Sequence, residues 1–177
     1  MINQIIIFIV FIILVILINE IIQGVLRQLD RQKIFKLAQS RAKQLNKPLL
    51  VYGDPYYGFG SRFYNNFISG YGCGDETIDL TGCPKCPNGI KSDILVHLKT
   101  KKSNDNVIFI SCVLEYLDDI DNVIKEIKRV AGSLDNVFIV TVGDMSLAAY
   151  LYKEDNYKAK QIVNAPPYFN DITYKKF

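Results

Sequence analysis

Residues 106–142, NVIFISCVLEYLDDIDNVIKEIKRVAGSLDNVFIVTV, contain two apolar runs on either side of an amphipathic segment. The runs at 106–111 and 136–142 are rich in Val, Ile and Phe, which is typical of buried strands. Gly132 ends the segment between them, and its apolar residues recur at helical spacing, at Leu117, Ile120, Val123, Ile124, Ile127 and Val130. A strand, a helix and a second buried strand in succession indicate a parallel sheet.

The alternation of strands and helices continues on both sides of this unit. Further strands are predicted at 49–53, 76–80, Ile90–Asp93 and 161–165, a candidate edge strand at 171–177, and helices at 61–68 and 146–152. We therefore expect residues 48–177 to form one α/β domain. It should be a three-layer sandwich around a mostly parallel, Rossmann-like sheet of about seven strands. Ligands of such sheets bind at the carboxyl ends of the strands.

The N-terminal segment is strongly apolar. Ile5–Ile18 is an unbroken apolar run, and after a short polar break the run resumes over 21–26. As a helix, this stretch of about 22 residues is about 33 Å long, which matches the hydrocarbon core of a bilayer. A cleaved signal peptide would need a basic start and a small-residue cleavage site, and neither is present. We expect residues 1–26 to be a single transmembrane anchor that takes the lipid bilayer as its partner.

Residues 27–47 read as a basic helical linker with a partial apolar stripe at Leu29, Ile34, Leu37 and Leu45. This stretch contains one acidic residue, Asp30, and seven basic residues: Arg27, Arg31, Lys33, Lys36, Arg41, Lys43 and Lys47. The positive-inside rule therefore predicts that the domain lies on the cytosolic side of the membrane, where this stretch would suit anionic lipid. The net charge of +3 is too small to indicate nucleic acid as a partner.

The four cysteines, Cys73, Cys83, Cys86 and Cys112, do not form a dense disulfide pattern, so we expect reduced thiols. Cys112 lies in an apolar run and should be a small buried hydrophobe. The segment Cys83-Pro84-Lys85-Cys86 has three interpretations: a redox pair, a loop with two ordinary thiols, or part of a zinc site. The zinc set would be Cys73, Cys83, Cys86 and His97.

The order of motifs after the second predicted strand resembles the class I S-adenosylmethionine-dependent methyltransferases in their small, type 11-like form. Asp79 has the place of an acid that ends the second strand, and Asp93 that of an acid after the third. Residues 113–116, VLEY, stand where the family has a V-L-E-H-type segment. The helix then ends in EIKRV (126–130), which fits the family pattern E-I-x-R-V. The resemblance covers about 48–142.

This resemblance implies S-adenosylmethionine as the cofactor. Asp79 would accept hydrogen bonds from the ribose hydroxyls, and Asp93 from the adenine amine. The methionine part would lie against the turn after the first strand, and the complete expected cofactor set is Gly53, Asp54, Gly58, Gly60, Asp79, Asp93, Ser111 and Cys112. Because the sulfonium is already activated, such a protein mostly positions its reactants. No catalytic residue is indicated.

The turn after the first predicted strand departs from the family pattern, so the sequence leaves two functions open. The family has an acid followed by G-x-G-x-G, whereas residues 53–60 read GDPYYGFG. The first function is a membrane-anchored methyltransferase of unknown substrate. The second is a non-catalytic scaffold or virion-membrane protein that retains the fold. Asp54-Pro55-Tyr56-Tyr57 and Ala165-Pro166-Pro167-Tyr168 are similar to the [DNS]-P-P-[YF] motif of amino-methyltransferases, but both follow the wrong strand.

Overall fold

The structure, a computed structural model, describes residues 2–56, 70–114, 117–140 and 168–170. The helices are α1 (Ile2–Leu45), α2 (Ile94–Lys99) and α3 (Ile120–Ala131), and a 3-10 turn spans Leu134–Asn136. The strands are β1 (Leu49–Tyr52), β2 (Glu76–Asp79), β3 (Gly89–Lys91), β4 (Val107–Ser111), β5 (Val137–Val140) and β6 (Tyr168–Asn170). The α/β class is therefore confirmed.

The six described strands form one sheet in the order β3-β2-β1-β4-β5-β6, and all neighbouring pairs are parallel. From β1 the chain adds strands outward to β3 and then returns to place β4 on the other side of β1. This is the order of a doubly wound, Rossmann-like sheet, as predicted. The patterns did not predict α2 or β6, and the remaining predicted elements, at 61–68, 146–152, 161–165 and 171–177, lie outside the described residues.

Helices cover both faces of the sheet, which gives the predicted three layers. On β4, Val107 and Phe109 belong to the core beneath α1, whereas Ile108 and Ile110 belong to the core beneath α2 and α3. The α1 side is completed by Ile34, Phe35, Ala38, Ala42, Leu49, Val51, Tyr71, Phe138 and Val140. Because strand side chains alternate between the faces, a strand that is buried on both sides must be apolar throughout, as β4 is.

Helix α1 is continuous from the apolar N-terminal segment to the sheet. It ends before Asn46, whose φ of 51° is left-handed, and Pro48 follows. Its C-terminal part packs on the sheet, whereas the large apolar side chains between Ile5 and Ile22 are 41–68% exposed. Among the described residues, no helix combines the length and apolar content needed to cross a bilayer.

Candidate functional site at the carboxyl edge of the sheet

The strands end together at one side of the sheet, which we call the carboxyl edge; the opposite side is the amino edge. Between β1 and β4 the strand order reverses, and doubly wound sheets bind ligands in the crevice at such a reversal. The described residues of the predicted cofactor set, Gly53, Asp54, Asp79, Asp93, Ser111 and Cys112, all lie at or directly beyond strand ends at this edge. Gly58 and Gly60 lie outside the described residues.

Gly53 carries the chain from β1 past the end of β4. Its φ of 102° is a conformation that residues with a side chain rarely adopt, and a Cβ there would lie 2.6 Å from the carbonyl oxygen of Ser111. Its N–H donates to the carbonyl of Ile78 at 2.9 Å, so that the turn is also fixed to β2. Only glycine allows the backbone to pass this close to β4 at the reversal point.

Asp54 and Asp79 meet where the turns after β1 and β2 come together. The Asp54 N–H donates to Asp79 Oδ2 at 3.2 Å, and Asp79 Oδ1 accepts from the N–H and hydroxyl of Thr81 at 2.8 and 2.7 Å. Asp54 Oδ1 accepts from the Tyr56 N–H at 2.8 Å. Burial and the charge of Asp79 raise the pKa of Asp54, against the opposing effects of the Tyr56 hydrogen bond and Lys85. Both carboxylates are therefore at the predicted edge and already accept hydrogen bonds from the chain itself.

Asp93 is the N-cap of α2. Its Oδ1 accepts from the N–H groups of Leu95 and Val96 at 2.8 and 3.1 Å, which satisfies two donors of the first helical turn. The side chain is exposed and lies just beyond β3. Its position agrees with the sequence prediction, and its local role is that of a helix cap; its expected contact with adenine stays a prediction.

A second group of polar side chains lies at the carboxyl edge beneath α1. The buried Tyr71 hydroxyl donates to the carbonyl of Gly53 at 2.8 Å, and its pKa is raised, chiefly by burial. Arg31 Nη2 lies 2.9 Å from Cys112 Sγ. Cys112 has a left-handed φ of 51°, and its N–H donates to the carbonyl of Val140 at 2.7 Å. Cys112 is half-buried and contacts a guanidinium, so the prediction of a small buried hydrophobe is wrong.

Sequence reasoning missed Arg31 and Tyr71 as residues of this edge. Arg31 belongs to a basic helix that reads as exposed to solvent, and its contact with Cys112 joins positions 81 residues apart. Tyr71 stands in a Gly-rich stretch with no periodic pattern. A helical projection aligned on Ile34 and Phe35 places Arg31 on the buried stripe of α1 and could have shown its position.

Tyr56 extends the carboxyl edge toward the turn after β2. Its ring lies so close to Gly70 that a Cβ at Gly70 would be 2.8 Å from Tyr56 Cε1. Lys85 Nζ lies 5.5 Å from the centre of the same ring, within the range of a cation–π contact. Tyr56 thus covers part of the edge between the turns that follow β1 and β2.

The cysteines are not all reduced. Cys73 and Cys86 form a disulfide with a Cα–Cα distance of 5.6 Å, so the prediction of reduced thiols is wrong for this pair. The bond joins the segment before β2 to the loop before β3, a contact that sequence spacing does not reveal. Cys83 is free and buried. Burial, followed by the charges of Asp54 and Asp79, raises the pKa of Cys83 to about 12, which disfavours the thiolate that a redox pair requires.

The predicted zinc set is not assembled. Two of its thiols are bonded to each other, and His97 makes hydrogen bonds with Tyr52 and Glu76. In the segments that the structure describes, no group of three or more Cys, His, Asp or Glu side chains is arranged to hold a metal ion.

His97 belongs instead to a polar network between the sheet and α2. The buried Tyr52 hydroxyl lies 2.9 Å from His97 Nδ1, and His97 Nε2 lies 2.9 Å from Glu76 Oε2. Lys101 Nζ donates to both Glu76 oxygens at 2.6 Å. Burial lowers the pKa of His97, so the ring is neutral at neutral pH. Because the carboxylate can only accept, the proton lies on Nε2 and Nδ1 accepts from the tyrosine.

Comparison of the chain with known protein families, with curated proteins and with solved structures finds no match.

Proposed function

We propose that this protein is a membrane-anchored, methyltransferase-like protein whose α/β domain binds S-adenosylmethionine at the carboxyl edge. The observation that carries the proposal is the pairing of Gly53 and Asp79 beside the strand reversal. The glycine brings backbone close to β4, and the acid ends β2 one strand away. A close backbone turn and a carboxylate on adjacent strands are what doubly wound sheets use to hold a nucleoside-type cofactor.

The cofactor would supply an activated methyl group, and the chain would hold the reactants in position. Among the described residues, Asp79 Oδ2 accepts only from the Asp54 N–H, at 3.2 Å, which is at the long end of the hydrogen-bond range, so it retains capacity to accept from ribose. Asp93 stands at the same edge with an exposed carboxylate. The donors from the chain's own turns orient both acids before any ligand arrives.

Membrane attachment is supported by the N-terminal part of α1. Between Ile5 and Ile22 the helix exposes sixteen large apolar side chains, whereas its C-terminal part is buried against the sheet. Contiguous apolar surface of this extent marks a lipid or protein contact, and the length of the segment as a helix fits the hydrocarbon core of a bilayer. The basic residues that follow support a cytosolic domain.

The disulfide opposes that orientation, because such bonds persist chiefly in oxidising compartments. Protease protection in sealed vesicles decides between the two sides. Digestion of the C-terminal domain from the cytosolic face supports the proposed orientation. Protection of the domain inside the lumen overturns it and agrees with the disulfide.

Calorimetry on the full-length protein in nanodiscs tests the cofactor. We expect saturable binding of S-adenosylmethionine, and competition by its demethylated product. Flotation with vesicles, after washing at alkaline pH, tests the anchor in the same preparation. If the protein floats but gives no binding heat with millimolar cofactor, the membrane anchor is supported and the methyltransferase proposal is overturned.

The second candidate is a non-catalytic membrane protein that keeps the fold. It is favoured by one observation: Asp79 Oδ1 and Asp93 Oδ1 already accept from donors of their own turns, and Tyr56 covers part of the edge between the turns that follow β1 and β2. In this case the carboxylates serve the turns alone. The absence of cofactor binding, with the fold intact by circular dichroism, would favour this candidate.

A further inference from the structure

The direction of α1 relates the apolar segment to the two edges of the sheet. Near its C-terminus, Arg41 Nε donates to Asn136 Oδ1 at 3.0 Å, and Asn136 directly precedes β5, at the amino edge. Ten residues earlier, Arg31 contacts Cys112, which directly follows β4 at the carboxyl edge. Followed toward its N-terminus, α1 therefore crosses the sheet from the amino edge to the carboxyl edge and continues beyond it.

The apolar segment begins shortly past that point. Ile22, the last of its exposed large apolar residues, precedes Arg31 by nine positions. At a rise of about 1.5 Å per residue, the two positions are about 14 Å apart along the helix. The carboxyl edge is consequently the part of the sheet that lies nearest to the apolar segment.

The carboxyl edge presents an exposed apolar side chain and two exposed lysines in addition to its carboxylates. Leu80, directly after β2, is 69% exposed, more than any other large apolar side chain among the described residues. Lys91 ends β3 and is exposed, and Lys85 is exposed beside Tyr56. Leu80 and these lysines share the edge with the carboxylates of Asp54, Asp79 and Asp93, so an apolar contact with the interface and lysine contacts with anionic headgroups are the interactions that a bilayer would make here.

We propose that the carboxyl edge of the sheet lies against the bilayer surface, with Leu80 in the interface and Lys85 and Lys91 at anionic headgroups. The cofactor crevice then opens on the membrane, and the ligands that reach it come from the lipid surface. This inference rests on the membrane anchor of the proposed function and does not require cofactor binding. It assigns the edge one partner, a bilayer that contains anionic lipid.

Tryptophan fluorescence tests this orientation, because the chain contains no Trp. Leu80→Trp places a single reporter at the carboxyl edge. Asp105→Trp places one at the amino edge, just before β4, and Val96→Trp replaces an apolar residue on α2 that is 60% exposed. The full-length variants are reconstituted in phosphatidylcholine vesicles, with or without phosphatidylserine, that carry a quencher near the headgroup.

We expect the emission of Leu80→Trp to shift to shorter wavelength and to be quenched several-fold more than that of the two controls. Phosphatidylserine should increase the quenching, and Lys85→Gln with Lys91→Gln should remove that increase. Equal quenching of all three reporters in a protein that floats with vesicles overturns the orientation and leaves the anchor standing. A protein that does not float overturns the orientation and the anchor together, and neither outcome depends on whether the cofactor binds.

Discussion

Replacing Glu76 by Gln tests the polar network between the sheet and α2. The carboxylate accepts from Lys101 at 2.6 Å on both oxygens and from His97 at 2.9 Å. Gln keeps the size and one acceptor oxygen but removes the charge. Hydrogen bonds to charged groups contribute about 1.5–3 kcal/mol, and exposed ion pairs about 0–1 kcal/mol. Because the side chains of Glu76 and Lys101 keep 30% and 21% exposure, we expect a loss of about 1–2 kcal/mol.

Thermal unfolding of the full-length protein in detergent measures this loss. In a chain of this length, about 1 kcal/mol corresponds to about 2–4 °C, so the Tm should fall by roughly 2–8 °C. The matched control is Glu126→Gln, which removes the charge from a pair with Arg129 within α3. Pairs at this helical spacing contribute about 0.3–0.5 kcal/mol, so the control should lose clearly less.

The same network predicts how stability depends on pH. Burial lowers the pKa of His97 below its ordinary 6.5, although the hydrogen bond to Glu76 opposes this. The unfolded chain therefore takes up the histidine proton first, and stability falls as the pH drops below 6.5 toward the folded pKa.

Glu76 extends the fall in stability to lower pH. Burial alone would raise its pKa, but the hydrogen bonds from Lys101 and His97 bring it below the ordinary 4.5. Its contribution is present above pH 4.5 and is lost as the pH falls through the folded pKa, and Glu76→Gln should lack this second loss. Stability that does not change between about pH 7 and 5, or a control that loses as much as Glu76→Gln, would refute the reasoning.

Three further predictions concern stability. Replacing Cys73 and Cys86 by Ser should cost about 3 kcal/mol, since their separation of 13 residues closes a loop of moderate length; unfolding with and without reductant measures it. Phe109→Ala should cost about 3–5 kcal/mol, because Phe109 is fully buried beneath α1, and chemical denaturation tests this. Gly53→Ala should lose more than about 1 kcal/mol through its left-handed φ and its approach to Ser111, and a variant as stable as the parent would contradict the turn geometry.

The strands and helix that carry strong periodic signals could be predicted from the sequence. β4 and β5 are continuous apolar runs because both faces of the sheet are covered, and α3 shows a clear apolar stripe before Gly132. The short helix α2 was missed, since its six residues are too few to establish a helical period.

The segment predicted as a basic linker shows what the pattern could not reveal. Ile34 is buried and Leu45 packs against the core, as a stripe would require, but Leu29 and Leu37 are 50% and 41% exposed. The face that meets the sheet uses Phe35 and two small alanines, Ala38 and Ala42, in place of large apolar residues. Small residues allow close helix–sheet packing and give little hydropathy signal.

The sequence predicted which edge of the sheet carries the candidate site, but it did not predict the contacts between the residues there. Strand ends place Gly53, Asp79 and Asp93 together, and this follows from topology alone. The disulfide and the Arg31–Cys112 contact join distant parts of the chain, and one sequence does not contain the information that pairs them.

The central claim is that Asp79 holds the cofactor at the carboxyl edge, and Asp79→Asn tests it most directly. Asn can keep the acceptor oxygen that Thr81 contacts, so the turn should persist and the Tm without ligand should change little. The loss of a charged acceptor should weaken S-adenosylmethionine binding about tenfold to a hundredfold in calorimetry. Asp105→Asn, at the amino edge, is the control and should bind like the parent. Equal affinity of Asp79→Asn and the parent protein, or no binding by the parent at millimolar cofactor, would contradict the account.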